Sequence, residues 1–330
     1  MTLSICIPSY NRGARALELV KSLLRLADLY EGELEIVVSN NGSSVGVAEY
    51  EQIASLQNKY PRYHCFEENQ HFVGNFNYVV KMSHADYCML LSDEDTVDEE
   101  ALKYYMKSLP DIKEVGIVRA FTKLNYNWLP EQFFSAGFWA IKSYYMVGNY
   151  VSGIIYNRAF LTDEVIDELW NRYGEKGGPD EVKNTAYFYY PHKFVDAYLL
   201  AAHPIWIDSR VLVIEGREEN DMPMTADAQH VYATWDARFS QMCGFREQIE
   251  DMDVTDDVRV QMYVNLIYTY IVLMGNCKSY YAGKAEEWNA IKYRTVECIR
   301  EFLDTSNCAL IREKSNEFLG IVAEAYTRFM

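Results

Sequence analysis

The chain has 330 residues, 49% hydrophobic and 24% charged, an ordinary globular composition with room for one large domain or two smaller ones. Its 48 Asp and Glu against 31 Lys and Arg leave a formal net charge of −17. That excludes the dense basic surface that nucleic-acid binding needs, and a phosphate-bearing ligand must be met by local positive charge or a bound cation. Seven cysteines with no C-x-x-C pair read as reduced thiols of a cytoplasmic protein.

Residues 3–8 form an apolar run that Pro8 ends, so the chain is expected to open on a buried strand with no signal peptide before it. Ser9 to Gly13 is a polar loop with turn chemistry. Leu17, Val20 and Leu24 then recur at helical spacing to about residue 29. Residues 34–38 read as a second strand and run into a polar segment, 39–44. A second helix carries Glu49, Ile53 and Leu56, and residues 63–66 read as a third strand. A polar loop from Asn69 to Asn77 leads to a helix near 78–80, and residues 88–91 are a fourth strand. This alternation predicts a mostly parallel α/β sheet with helices on both faces and right-handed crossovers. It also sets four polar loops (9–12, 39–44, 69–74 and 93–95) at one sheet edge, where open α/β sheets bind ligands.

Beyond residue 110 the pattern loosens. Strands are expected within 115–121, 148–156, 205–207 and 211–214, and helices over 160–170 and within 187–202. The aromatic stretch 128–145 gives no clear pattern. From residue 227 the chain reads as helical to its end, with breaks near Gly275, Gly283 and Asn307. The longest apolar run, about 262–274, is interrupted by Asn265 and falls short of the ~20 residues that span a bilayer.

The fourth strand ends in Asp93-Glu94-Asp95. Residues two apart in an extended segment point the same way, so both aspartates can face one ion, and carboxylate oxygens suit Mg2+ or Mn2+. A plainer reading stands beside it. Thr96 followed by Glu99 is a capping-box pattern, and acidic residues favour the first turn of a helix. A dinucleotide G-x-G-x-x-G after the first strand, a P-loop and H-E-x-x-H are all absent.

Ile5-Cys6-Ile7-Pro8-Ser9-Tyr10-Asn11-Arg12, Val37-Val38-Ser39-Asn40-Asn41-Gly42-Ser43-Ser44, the loop from Asn69 through Gly74 to Asn77, Leu90-Leu91-Ser92-Asp93-Glu94-Asp95 and residues 148–156 together resemble family 2 glycosyltransferases of the GT-A fold. The resemblance covers about the first 215 residues. It implies an inverting transferase that moves a sugar from a nucleotide diphosphate donor, UDP by default, to a hydroxyl of a glycan, lipid-linked oligosaccharide or cell-surface polymer. It implies that Pro8, Tyr10 and Arg12 line the base and ribose pocket and that Asn40 takes the base-contacting place. Asn69, Gly74, Asn77 and Glu94 would join the donor site and Asp93 would contact the sugar or ribose. Asp95, with Asp93 beside it, would hold Mn2+ or Mg2+ on the diphosphate. Two positions depart from the family pattern. Asn40 stands where a carboxylate is usual, and Asn75 stands where an Arg is common, which leaves more of the phosphate charge to the metal.

An inverting displacement needs a general base for the acceptor hydroxyl, in this family an Asp or Glu of the second half. Asp196 is the first choice and Asp180 and Glu181, after Gly177-Gly178-Pro179, are the alternatives; Asp196 reads equally as a residue that caps or flanks a helix. His192 and His203 read as structural residues before phosphate or metal contacts. Arg217 reads as a diphosphate partner or as solvated surface. The aromatics between Trp128 and Tyr150 are core or domain interface first and an acceptor groove second. The domain plan is a catalytic domain over 1–220, with a nucleotide half 1–110 and an acceptor half 111–220, and an all-helical region over 221–330. That region leaves open homo-oligomerisation and a peripheral association with the inner face of the cell membrane. A non-catalytic nucleotide-sugar or glycan binding module is the alternative function, and a nucleotidyltransferase fits the loops less well.

Overall fold

The computed structural model describes the chain apart from residues 31–32, 57–60, 175–182, 217–232 and 330. Its first part alternates β1 (Leu3–Ser9), α1 (Gly13–Ala27), β2 (Leu34–Asn40), α2 (Val47–Ser55), β3 (Pro61–Cys65), α3 (His71–Lys81) and β4 (Tyr87–Leu90). There follow β5 (Thr96–Val97), α4 (Glu99–Ser108), β6 (Ile117–Thr122), β7 (Gln132–Phe134), α5 (Phe138–Tyr144), β8 (Ile154–Asn157), α6 (Asp163–Tyr173), α7 (Thr185–Tyr189), α8 (Pro191–Ala202) and β9 (Ile205–Ile214). The rest is helical: α9 (Trp235–Asp251), α10 (Asp256–Asn276), α11 (Ala285–Asp304), α12 (Ala309–Glu313) and α13 (Ser315–Phe329).

The sheet runs β3-β2-β1-β4-β8-β6-β9-β5, with β7 on β9. The first four strands of that order are parallel, and β8 is antiparallel to both β4 and β6. Ile5 and Ile7 of β1 and Ile36 and Val38 of β2 are fully buried against Val20 and Leu23 of α1. Each such side chain removed from water contributes ~1.5–3 kcal/mol, which is why these strands read as unbroken apolar runs rather than alternating ones. The carboxyl ends of β1, β2 and β4 therefore share one edge.

Several boundaries differ from those read off the sequence, each for a local reason. The helix after β4 is capped by Asp98, whose side chain accepts from Ala101 N–H, and not by Thr96, which pairs with Ile214 in β5. The polar stretch 69–77 is mostly helix. Asn69 Oδ1 accepts from His71 N–H and Asn41 Oδ1 from Gln70 N–H, so these amides start α3. Residues 205–214 are one strand with an irregularity after Asp208, where the Asp208 side chain accepts from Arg210 N–H. The expected helix within 187–202 is two helices, and Pro191 opens the second, at a first-turn position where no backbone N–H is needed. The pattern-free stretch 128–145 holds β7 and α5.

The chain forms two compact units, one of Met1–Ala136, Gly148–Lys183 and Phe188–Glu218, the other of Gly137–Val147, Asn184–Tyr187 and Glu219–Met330. Two short pieces of the first 220 residues thus cluster with the C-terminal helices. Asn265, the polar break in the apolar run, donates to the carbonyls of Ile141 and Tyr145 at 2.8 and 3.0 Å. It thus serves the C-terminal end of α5, where the Ile141 carbonyl already accepts from Tyr145 N–H and the Tyr145 carbonyl lies beyond the helix. No helix among the described residues is long and apolar enough to cross a membrane.

Candidate active site

The loops after β1, β2 and β4 are tied to one another before any ligand is considered. Asn11 takes a left-handed φ of 57°, a conformation open to Asn more than to most residues. Its Oδ1 accepts from Ser44 and Val45 N–H. Asn41 donates to Asn69 Oδ1 at 2.8 Å and to the His71 carbonyl at 3.0 Å. A cavity of about 400 Å3 opens between these loops, lined by Pro8, Ser9, Tyr10, Arg12, Asn41, Asn69, His71, Phe72, Asn75, Ser92, Asp93 and Val151. That volume suits a small-molecule ligand.

Asp93 and Asp95 stand at the end of β4, both almost wholly buried. Ser9 Oγ donates to Asp93 Oδ2 at 2.5 Å and takes the Tyr50 hydroxyl at 2.5 Å in turn. Arg12 reaches Asp93 Oδ1 at 3.2 Å and Glu94 at 2.9 Å. Burial holds the Asp93 carboxyl above its ordinary range, although Ser9 and Arg12 oppose it. Asp95 has a different shell. Tyr150 and Ser152 hydroxyls each donate to its Oδ2 at 2.5 Å, and Gly216 N–H donates to Oδ1 at 3.1 Å. Ser152 Oγ also accepts from Ser92 N–H, which locks the chain on both sides of the motif. Burial raises the Asp95 pKa against those three hydrogen bonds, and the nearby Glu215 carboxylate pushes the same way.

All three donors to Asp95 are neutral, and among the described residues no side-chain cation pairs with it. Its Oδ1 takes a single hydrogen bond, so acceptor capacity remains there. A buried carboxylate beside a second one, short of positive charge, is a donor set that fits a hard divalent cation. Among the described residues no three His, Cys, Asp or Glu side chains gather to hold a metal. Both Asp93 oxygens are engaged by Ser9 and Arg12, so the fit is of Asp95 Oδ1 first, with ligand phosphates and water to complete the shell, as Mg2+ is commonly held.

A family model described as glycosyl transferase family 2 matches residues 4–170. The chain belongs to glycosyl transferase family 2. A Salmonella typhimurium protein, abequosyltransferase RfbV, is 30% identical over 127 residues, 35% of this chain and 37% of that protein. The chain thus spans little more than a third of that relative. The S. aureus TarS 1-349 structure in complex with UDP-GlcNAc superposes with a TM-score of 0.66 at 14% identity, over 100% of this chain and 89% of that one. Mannosyltransferase PcManGT from Pyrobaculum calidifontis, in complex with GDP-Man and Mn2+, gives 0.51 at 11% identity, over 98% and 86%. These likenesses carry the fold: a mixed, mostly parallel GT-A sheet followed by helices.

Within this family member the structure brings together Pro8, Tyr10, Arg12, Asn69 and Asp93 around the cavity. Asn40 is placed otherwise. Its amide donates to the Tyr63 hydroxyl and accepts from Ser43 N–H, and its neighbour Asn41 lines the cavity instead. Gly74 and Asn77 face a second cavity along α3. Asp196 is fully buried on α8, 3.0 Å from Lys193 Nζ and 2.9 Å from the Tyr156 hydroxyl. Both partners hold it inside the fold, and it does not line the cavity. It stands in the middle of α8 and neither caps nor flanks that helix. Asp180, Glu181 and Arg217 lie outside the described residues. His192 is buried, and among the described residues no side chain bonds to either ring nitrogen; burial, then Lys193 and Arg119, pull its pKa well below the ordinary histidine value. His203 stacks on Phe160 at 3.7 Å.

Sequence reasoning missed Tyr150, Ser152 and Gly216. They come from two segments more than fifty residues past the motif, and only the return of β8 and β9 to the sheet brings them in. A Cβ on Gly216 would strike the Glu94 carbonyl, so this close approach needs glycine.

Proposed function

We propose that the protein is an inverting glycosyltransferase that takes a nucleotide-diphosphate sugar into the cleft at the ends of β1, β2 and β4. The single observation that carries the reading is the Asp95 shell: a buried carboxylate, oriented by three neutral donors, two residues along the chain from Asp93, which lines a cavity with Tyr10 and Arg12. Tyr10, 42% exposed, offers a ring face to the base. Arg12 brings positive charge to the phosphate side, and its contact with Asp93 and Glu94 sets where that charge sits. Asp95, with Asp93, would hold Mn2+ or Mg2+. When bound, the ion supplies Lewis-acid stabilisation of the charge that grows on a departing diphosphate. Asp93 is placed to accept from a sugar or ribose hydroxyl through Oδ1 once Arg12 turns to phosphate.

The acceptor hydroxyl must lose its proton as it attacks the anomeric carbon. Asp196 is committed to Lys193 and Tyr156, which supports Asp180 or Glu181 for that task. The acceptor is a hydroxyl of a glycan, a lipid-linked oligosaccharide or a cell-surface polymer.

The test is a panel of UDP-, GDP- and dTDP-sugars incubated with Mn2+, read for release of the nucleoside diphosphate. Turnover of one donor, lost in Asp95→Ala, is the expected result. No turnover of any donor, with binding retained, leaves instead a nucleotide-sugar binding module. The burial of Asp196 away from the cavity is the observation on that side.

A further inference from the structure

From a second cavity, of about 410 Å3 between α3 and α6, we infer that this protein holds a neutral pyranose of a glycan at a site separate from the donor cleft. Phe66 and Tyr78 meet edge to face, centroids 4.9 Å apart at 67°, and form one aromatic wall. The partly exposed Trp170 of α6 lines the same cavity. A pyranose ring has apolar C–H faces that stack on such rings and a rim of hydroxyls that needs amides and carboxylates. Gln70 supplies one, since its Nε2 donates to the Glu68 carbonyl at 3.2 Å and its Oε1 is left to accept.

Charge selects the ligand further. The cavity's Lys81 pairs with Asp167 at 2.7 Å, and its Asp163 pairs with Arg158 at 2.6 Å. The charges at the rim are matched within the protein, so the rim carries no excess charge of either sign to favour an anionic phosphate or a cationic ligand. Neutral hydroxyls can hydrogen-bond to those pairs without breaking them. One helix, α3, borders both this cavity and the donor cleft. His71, Phe72 and Asn75 of α3 line the cleft, while Gly74, Tyr78 and Lys81 of the same helix line the second cavity. A glycan held there lies one helix away from the loops that take the donor. The choice of a glycan as ligand rests on the proposed glycosyl transfer.

Saturation-transfer NMR on the full chain, with methyl pyranosides and a series of neutral oligosaccharides as probes, tests this. Saturable binding is expected, weakened at least tenfold in Trp170→Ala and in Gln70→Ala and unmoved by saturating UDP or GDP. Donor binding in both variants should match the parent, with a thermal melt to check folding. Absence of saturable binding by every probe would overturn the inference, as would binding that the nucleotides displace or that Trp170→Ala leaves intact. Nucleotide binding measured in the same samples separates a failure of this site from a failure of the donor site.

Discussion

The Tyr150 hydroxyl lies 2.5 Å from Asp95 Oδ2, and the Tyr150 backbone is itself fixed, its N–H and carbonyl both bonded to the Tyr126 hydroxyl at 3.0 and 3.1 Å. Arg119 sits 3.6 Å over the Tyr126 ring. Asp95 is thus aimed by a relay of aromatic residues rather than by a counter-ion.

Removing one hydrogen bond to a charged group costs ~1.5–3 kcal/mol, roughly ten- to a hundredfold in rate if the bond acts at the transition state. Tyr150→Phe should therefore lower kcat/KM by at least about tenfold, with little change in the melting temperature. Steady-state kinetics beside a thermal melt reads both. An unchanged kcat/KM would mean that Ser152 and Gly216 hold Asp95 by themselves.

Burial raises the pKa of both Asp93 and Asp95 above the reference 3.8. A raised folded-state pKa favours folding when the group is protonated. That contribution is complete below pH 3.8 and is lost as pH rises through the raised value. At neutral pH both carboxylates are therefore a standing cost. Asp95→Asn should abolish metal-dependent turnover yet melt at a higher temperature than the parent at pH 7. The gap should narrow as pH falls toward 4. Melting curves over pH 4–8 measure it, and a variant less stable than the parent at pH 7 would contradict it.

Asp196 and Lys193 make a buried ion pair 3.0 Å apart, both side chains essentially inaccessible. Taking away one partner of such a pair typically costs ~3–5 kcal/mol, whereas replacing both by apolar groups of similar volume is often neutral. Asp196→Ala should lower denaturant stability by that order, and Lys193→Met with Asp196→Leu should recover much of it. If Asp196→Asn instead keeps full stability and loses only turnover, Asp196 is the base after all.

Gly216→Ala should displace the segment that donates to Asp95 Oδ1, because its new methyl meets the Glu94 carbonyl. Mn2+-dependent donor binding should weaken about tenfold, and calorimetric titration with and without Mn2+ reads it. Parent-like binding would remove Gly216 from the site.

The first hundred residues were largely legible in the sequence because their signals are local. Ile5, Ile36 and Met89 lie in short apolar runs, and polar residues follow each of them, although β1 runs one residue past Pro8 to Ser9. The second half was less so. The Asp95 shell draws on Tyr150, Ser152 and Gly216, residues whose roles depend on long-range pairing and carry no spacing signal. The helix start at Asp98 was hidden by the equally good capping pattern at Thr96. The bond of Asp196 to Tyr156, forty residues away, likewise carries no local signal.

The most direct measurement is the affinity of a UDP- or GDP-sugar for the full chain, with and without Mn2+, in the parent and in Asp95→Ala. The account predicts that Mn2+ tightens donor binding at least tenfold in the parent and has no effect in the variant. Equal Mn2+ dependence in both proteins, or no nucleotide-sugar binding by the parent at all, would contradict it.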